Sequence, residues 1–267
     1  MDATSSGAKI DLWHLAVSHY NEKVRWALDY KGLPWRSHLP MPGAPHMLIA
    51  LWLTRGRNST FPVLRLDGRA VGDSTAIIAA LEERFPDPPL YPADPEQRQR
   101  ALGLEDFFDE EVAPHVRLLA FHELQKDPVA FNEFAARFAP KPMARLGSIS
   151  GIYGRAFLRL RYRVHDPEAA ELARTRIAAG MDRLDQELGD GDYLVGGAFS
   201  IADLTAAAVF YPLVIPPGTP IAGQQLPHAY EEFRARFADR RGYRWVEEMF
   251  ARHRDPRPAA ERTAAAA

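Results

Sequence analysis

Residues 61–85 read FPVLRLDGRAVGDSTAIIAALEERF, and this stretch decides the topology of the first third of the chain. The runs VLRL and RAV flank Asp67-Gly68, the dipeptide signal for a tight hairpin. Ser74, Ile77, Ile78, Leu81 and Phe85 then recur at helical spacing and form one face. Upstream, KIDLWHL (9–15) reads as a strand, and Tyr20, Val24, Ala27 and Leu28 share a helical face that Gly32 ends. A second strand begins in LPWRSHL (33–39), and a second helix covers Ala44 to Leu53. The order over residues 9–85 is β-α-β-α-β-β-α.

The segment PDPPLYPADPE (86–96) is too rich in proline for regular structure, so residues 86–94 are expected to link two domains. From 95 to 254 the periodicity is helical throughout, and the fold class is an α/β domain followed by an all-α domain. Asp94-Pro95 and Asp166-Pro167 each read as an N-cap followed by proline at the first helical position. The helix after Asp166 carries a buried stripe at Ala173, Ile177, Met181, Leu184 and Leu188. Pro114 inside a helical pattern predicts a kink near Glu110. SIAD, Ser200 to Asp203, fits a capping box with Phe199 and Leu204 as its hydrophobic staple, a structural rather than a chemical feature. Residues 255–267 are expected to be a disordered tail.

The bulk numbers exclude several functions. Among 267 residues, 33 basic and 35 acidic side chains leave a net charge of −2, with no run of like charge to draw a nucleic acid or an anionic membrane. No apolar run reaches the roughly 18 residues that span a bilayer, and the start lacks the features of a signal peptide. A cytoplasmic location is expected. The chain has no cysteine, which removes disulfides, zinc-thiolate sites, iron-sulfur clusters and a cysteine nucleophile. Any thiol chemistry must use a sulfur brought from outside. His14, His19, His38 and His46 match no standard zinc spacing, and no metal is expected.

TFPVL (60–64) followed by DSTAI (73–77) resembles the thioredoxin-like N-terminal domain of glutathione S-transferases. SHYNEKVRWALDYKGLPW (18–35), YLVGGAFSIADLTAAA (193–208) and GYRWVEEMFARHR (242–254) are similar to one bacterial branch of that superfamily. The resemblance spans most of residues 10–254. It implies a thioredoxin-like domain, an all-helical domain, glutathione as cosubstrate and a homodimer active in detoxification. Pro62, compatible from sequence alone with a trans or a cis bond, is implied to be cis. Thr60, Phe61 and Pro62 are then implied in glutathione binding, with the Phe61 main chain pairing with the cysteinyl unit as an added strand. Asp73 and Ser74, at a helix mouth that favours an anion, are implied to receive the γ-glutamyl end. Each of these also has a plain structural use, as a strand start or an N-cap.

Ser18-His19-Tyr20-Asn21 occupies the place and spacing of the redox pair of thioredoxin-like proteins without any sulfur. Such a site cannot exchange disulfides, but a helix N-terminus with hydroxyl and amide donors can hold a thiolate belonging to another molecule. Lowering a thiol pKa by about two units takes about 2.7 kcal/mol. One charge-assisted hydrogen bond gives about 1.5–3 kcal/mol and the helix end about 0.3–1 more, which suffices. The resemblance implies that Ser18 is catalytic, with Tyr20 and Asn21 as alternative donors; Ser18 as a simple N-cap stays open. An apolar acceptor pocket is expected between the domains, with Phe107, Phe108, Val112, His115 and Tyr153 as its candidates, of which most read as core and only a few as lining. Its substrate is a small hydrophobic electrophile, and conjugation, ether cleavage, dehalogenation and isomerisation all fit. The alternatives are a noncatalytic docking module of the same fold, or use of another small thiol.

Overall fold

A computed structural model describes residues 8–138 and 148–254; the expected disordered tail, 255–267, lies outside them. The described residues divide into two compact units, 8–90 with 253–254 and 91–252. The first has strands β1 (Ile10–Trp13), β2 (Arg36–His38), β3 (Val63–Leu66) and β4 (Arg69–Gly72), with helices α1 (His19–Tyr30), α2 (Ala44–Leu53) and α3 (Ser74–Arg84). Asp67 and Gly68 both adopt positive φ, 49° and 86°, so the β3–β4 turn is the hairpin that the dipeptide predicts.

The sheet order is β2-β1-β3-β4, with β2 parallel to β1 and the other pairs antiparallel. Its register positions everything that follows. Trp13, the last residue of β1, lies opposite Val63, the first of β3, and Val63 lies opposite Gly72, the last of β4. The loop leaving β1, the residues entering β3 and the residues leaving β4 therefore meet at one end of the sheet. Helix α1 departs from a one-sided amphipathic pattern. Asn21 through Leu28 are all buried, the charged Glu22, Lys23 and Arg25 included, because partners from distant segments reach them.

The proline-rich stretch is pinned rather than loose. Lys31 Nζ, wholly buried, donates to the carbonyls of Phe85 at 2.7 Å and Pro88 at 2.8 Å and pairs with Glu82 at 2.5 Å. Glu82 in turn accepts from the Leu90 N–H at 3.0 Å. The peptide bonds before Pro62 and Pro88 are both cis.

The second unit is helical among its described residues. Its helices are α4 (Pro95–Asp106), α5 (Ala113–Leu124), α6 (Pro128–Phe138), α7 (Ser148–Tyr162), α8 (Pro167–Leu188), α9 (Ile201–Val214), α10 (His228–Ala235) and α11 (Arg241–His253). Asp94 caps α4 through Gln97 N, and Asp166 caps α8 through Glu168 N and Ala169 N. The expected α8 stripe is buried along its whole length. The kink expected near Glu110 is taken up differently. Residues Phe107–Val112 wind as a π-helix, and Ala113 N–H reaches back five residues to the Phe108 carbonyl. The wide turn places Pro114 in the first turn of α5, where its missing N–H has no partner to lose. Gly180 lets α8 lie against this turn: a Cβ there would sit 2.7 Å from Val112 Cγ2.

Asp203 is the hub of the α9 start. Its carboxylate accepts from Leu194 N, Ser200 N and Ser200 Oγ, each at 2.8 Å, and Asp203 is wholly buried. Burial pushes this carboxyl up to about 6, against the donors that pull it down. Asp203→Ala strands two buried N–H groups and is expected to cost about 2–4 kcal/mol by urea denaturation. Ser200→Ala, which leaves the Asp203 bonds to both N–H groups in place, is expected to cost about 1 kcal/mol.

Candidate functional site at the end of the sheet

Ser18 is the N-cap residue of α1 in extended conformation, yet its side chain caps none of the helix N–H groups. Its backbone does the local work: Ser18 N donates to Leu15 O at 3.2 Å and Ser18 O accepts from Glu22 N at 2.8 Å. The half-buried hydroxyl is therefore not committed to capping. Tyr20 is also half-buried, its ring tilted against that of the buried His19 at 4.4 Å.

Two polar side chains of α1 tie the three sequence-predicted segments together. Asn21, fully buried, accepts from Leu15 N at 3.2 Å and donates to Phe61 O at 3.4 Å. Its amide thus spans from the β1–α1 loop to the residue before Pro62, which makes Asn21 a brace for the site rather than an exposed donor. Lys23, almost wholly buried, donates to Thr75 Oγ1 at 3.2 Å and so anchors the α3 start. Phe61 and Pro62 are buried and Thr60 is half-buried just ahead of them.

Asp73 stands at the mouth of α3 with φ 78° and ψ 132°, a region that side chains rarely adopt. Holding a residue there costs about 1–3 kcal/mol, and such outliers cluster where ligands are held. Part of the cost is offset by one carboxylate oxygen, which accepts from Thr75 N at 3.0 Å and Ala76 N at 3.1 Å. Asp73 is exposed and Ser74 is buried beside it. One end of the sheet thus presents a hydroxyl at one helix N-terminus, a backbone edge before a cis proline, and a strained acid at a second helix N-terminus.

The glutathione S-transferase N-terminal domain family matches residues 12–89, and the glutathione S-transferase C-terminal domain family matches residues 167–237, together more than half of the chain. This chain belongs to the glutathione S-transferase superfamily. It is 36% identical over 100 residues to maleylacetoacetate isomerase of Pseudomonas aeruginosa, covering 36% of this chain and 46% of that relative. The chain spans less than half the length of the curated relatives it matches. Among solved structures, it shares its fold with a glutathione S-transferase of Methylobacterium radiotolerans in complex with glutathione sulfonate. That likeness has a TM-score of 0.54 and 24% identity, covering 88% of this chain and 93% of the other. The β-etherase LigF of Sphingobium sp. strain SYK-6 gives a TM-score of 0.57 at 20% identity, covering 90% and 99%.

In this member of the superfamily, residues that the sequence does not advertise hold the β1–α1 loop. Arg25 is buried and spends all five of its N–H groups. They go to Glu22 through Nε and one terminal nitrogen, to His14 Nδ1 at 3.0 Å, to Leu15 O at 3.2 Å and to Ala16 O at 2.9 Å. Because a guanidinium only donates, His14 Nδ1 accepts, and His14 Nε2 carries the proton toward Ser37 Oγ at 2.8 Å. Burial, and then Arg25, hold the His14 pKa well below its usual value, so the ring is neutral. Of the other histidines raised as ligand candidates, His38 bonds Asp11 at 2.7 Å and His46 accepts from Gly43 N at 2.8 Å.

The residues expected to line an acceptor pocket separate into two kinds. Phe108 and Val112 are at most 1% exposed, packed toward Phe210 and Gly180 respectively, and are core residues of the helical unit. Phe107, His115 and Tyr153 remain half-buried. Burial, and then the neighbouring Arg176, lower the His115 pKa.

Glu22 makes the loop acid-sensitive. Burial opposes its ionisation, but Arg25 and Arg254 prevail and hold the carboxyl at about 2, below its usual 4.5. A depressed folded-state pKa contributes stability that is complete above the unfolded value and is lost as pH falls through the folded one. Urea denaturation should therefore show a loss on the order of 3 kcal/mol between about pH 5 and about pH 2 that Glu22→Gln lacks. Glu22→Gln should be the weaker protein at neutral pH, since it leaves two buried guanidinium groups short of a counter-charge.

Proposed function

We propose that the chain is a glutathione transferase that stabilises the thiolate of bound glutathione and directs it at a small hydrophobic electrophile. The observation that carries this reading is the convergence at one sheet end of Ser18, Phe61 before a cis proline, and Asp73-Ser74 at the α3 mouth. Among the described residues the Phe61 carbonyl takes one long bond, from Asn21, and retains a lone pair for an added peptide strand. The second carboxylate oxygen of Asp73 faces the ammonium of the γ-glutamyl unit, while the α3 N-terminus receives its carboxylate. Ser18, its hydroxyl left out of capping, donates to the sulfur, and Tyr20 lies two residues on along the same helix. Asn21 acts through the loop rather than on the sulfur.

Bound so, the thiol loses its proton to solvent and the sulfur attacks an electrophilic carbon. A sulfur that stays attached yields conjugation or displaces a leaving group; one that adds to a double bond and departs leaves an isomer. Two curated relatives are named maleylacetoacetate isomerase and maleylpyruvate isomerase, which favours testing unsaturated acids among the electrophiles. A homodimer and a cytoplasmic setting accompany this reading, and light scattering tests the first.

Calorimetry with glutathione and turnover on a panel of electrophiles test the proposal. Ser18→Ala is expected to bind glutathione within a few-fold of wild type but to lose about 10- to 100-fold in kcat/KM, the worth of one charge-assisted hydrogen bond. Asp73→Gly is expected to melt no lower than wild type, since glycine relieves about 1 kcal/mol of positive-φ strain for a few tenths lost in capping, while glutathione affinity falls several-fold. Wild-type protein that binds no glutathione, or a Ser18→Ala variant with unchanged turnover, would refute the assignment.

A further inference from the structure

Residues 253 and 254 lie along one face of α1. The His253 carbonyl accepts from Trp26 Nε1 at 2.9 Å, and the His253 ring meets Tyr30 edge-on at 6.5 Å. Arg254 Nε donates to Glu22 Oε1 at 2.6 Å, and its Nη1 donates to Asp29 Oδ2. The second oxygen of Asp29 accepts from Trp35 Nε1 at 3.0 Å. The side chains of Arg254, Glu22 and Asp29 are 12%, 4% and 2% exposed. Two carboxylates and two guanidinium groups, Glu22, Asp29, Arg25 and Arg254, thus form a buried set with no net charge.

We propose that Arg254 is a positioning residue of the thiol site, completing the charge frame that leaves Arg25 free to fix the Leu15 and Ala16 carbonyls ahead of Ser18. The donor count makes the case. Arg25 has no N–H to spare: two go to Glu22 Oε2, one to His14, and two to the loop carbonyls. Glu22 Oε1 is satisfied by Arg254, 232 residues away in sequence. Without Arg254 that buried oxygen has to draw on Arg25, and every N–H that swings to it is taken from Leu15 O or Ala16 O. Leu15 is where the site is stitched together: its N–H goes to Asn21 and its carbonyl serves both Arg25 and Ser18 N. Loss of Arg254 therefore reaches the Ser18 hydroxyl through the loop and not through contact with the ligand. Arg254 has this role toward a thiol only if the Ser18 end of the sheet holds one, the reading proposed above.

Hydrogen exchange on the unliganded protein, together with the pH dependence of kcat/KM for glutathione-dependent turnover, tests this with Arg254→Ala and Arg254→Lys. Ser200→Ala serves as a mildly destabilised control in the other unit. Arg254→Ala is expected to exchange about tenfold faster across residues 14–18, with no such change in Ser200→Ala. Its kcat/KM at neutral pH is expected to fall about tenfold, and the acid limb of the profile to move up by about one pH unit. Arg254→Lys, which keeps the charge but serves fewer acceptors, is expected to fall between the two and supplies the answer if the alanine variant fails to fold. Unchanged exchange across 14–18 overturns the proposal, as does faster exchange with an unmoved pH profile, which marks a purely structural contact. Wild-type protein that turns over nothing with glutathione refutes the thiol reading instead; the exchange data alone then decide whether Arg254 holds the loop.

Discussion

A buried guanidinium on α1 governs the first unit. Arg25 offers five donors in a rigid plane, and the fold supplies an acceptor for each: a carboxylate, an imidazole nitrogen and two backbone carbonyls. A loop between a strand and a helix ordinarily runs over the surface with its carbonyls in water. Here Leu15 and Ala16 are pinned from below, so the loop conformation is set before any ligand arrives. That preorganisation matters for a hydroxyl meant to meet a sulfur anion, because a donor already in place need not be ordered at the moment of reaction.

Burying Arg25 requires compensation, and the compensation explains the burial of its neighbours. Glu22 neutralises it, Arg254 satisfies the remaining oxygen of Glu22, and Asp29 balances Arg254. A buried ion pair of this kind is weak evidence for stability, since well-packed apolar side chains often do as well. Its retention is better understood through geometry: directional bonds specify one loop conformation where an apolar contact would allow several. The neutral His14, just past the end of β1 and between Arg25 and Ser37, extends the same frame to β2.

Much of this architecture was legible in the sequence where local chemistry decides it. Asp67-Gly68 makes its turn, Asp94 and Asp166 cap their helices, and the α8 stripe is buried, because each depends on neighbours within a few residues. The three segments that meet at that sheet end, Ser18, Phe61-Pro62 and Asp73-Ser74, were legible as landmarks of a candidate site. What held them was not. Nothing in the sequence marks Glu22, Lys23 and Arg25 as buried, since they find partners 232, 52 and 9 residues away. No local pattern encodes such pairs. Phe108 and Val112 continue, at ordinary helical spacing, the buried face that Ala101 and Leu104 begin, and so belong to the core rather than to a pocket.

The absence of cysteine ties these observations together. The thioredoxin-like sheet end has a helix N-terminus and a serine hydroxyl but no cysteine sulfur, and on that ground we propose that it acts on a thiol that arrives from elsewhere. Ultraviolet titration of glutathione bound to the wild-type protein tests that claim most directly. The account predicts a thiol ionisation midpoint about two units below that of the free compound, and a midpoint equal to or above the free value would contradict it.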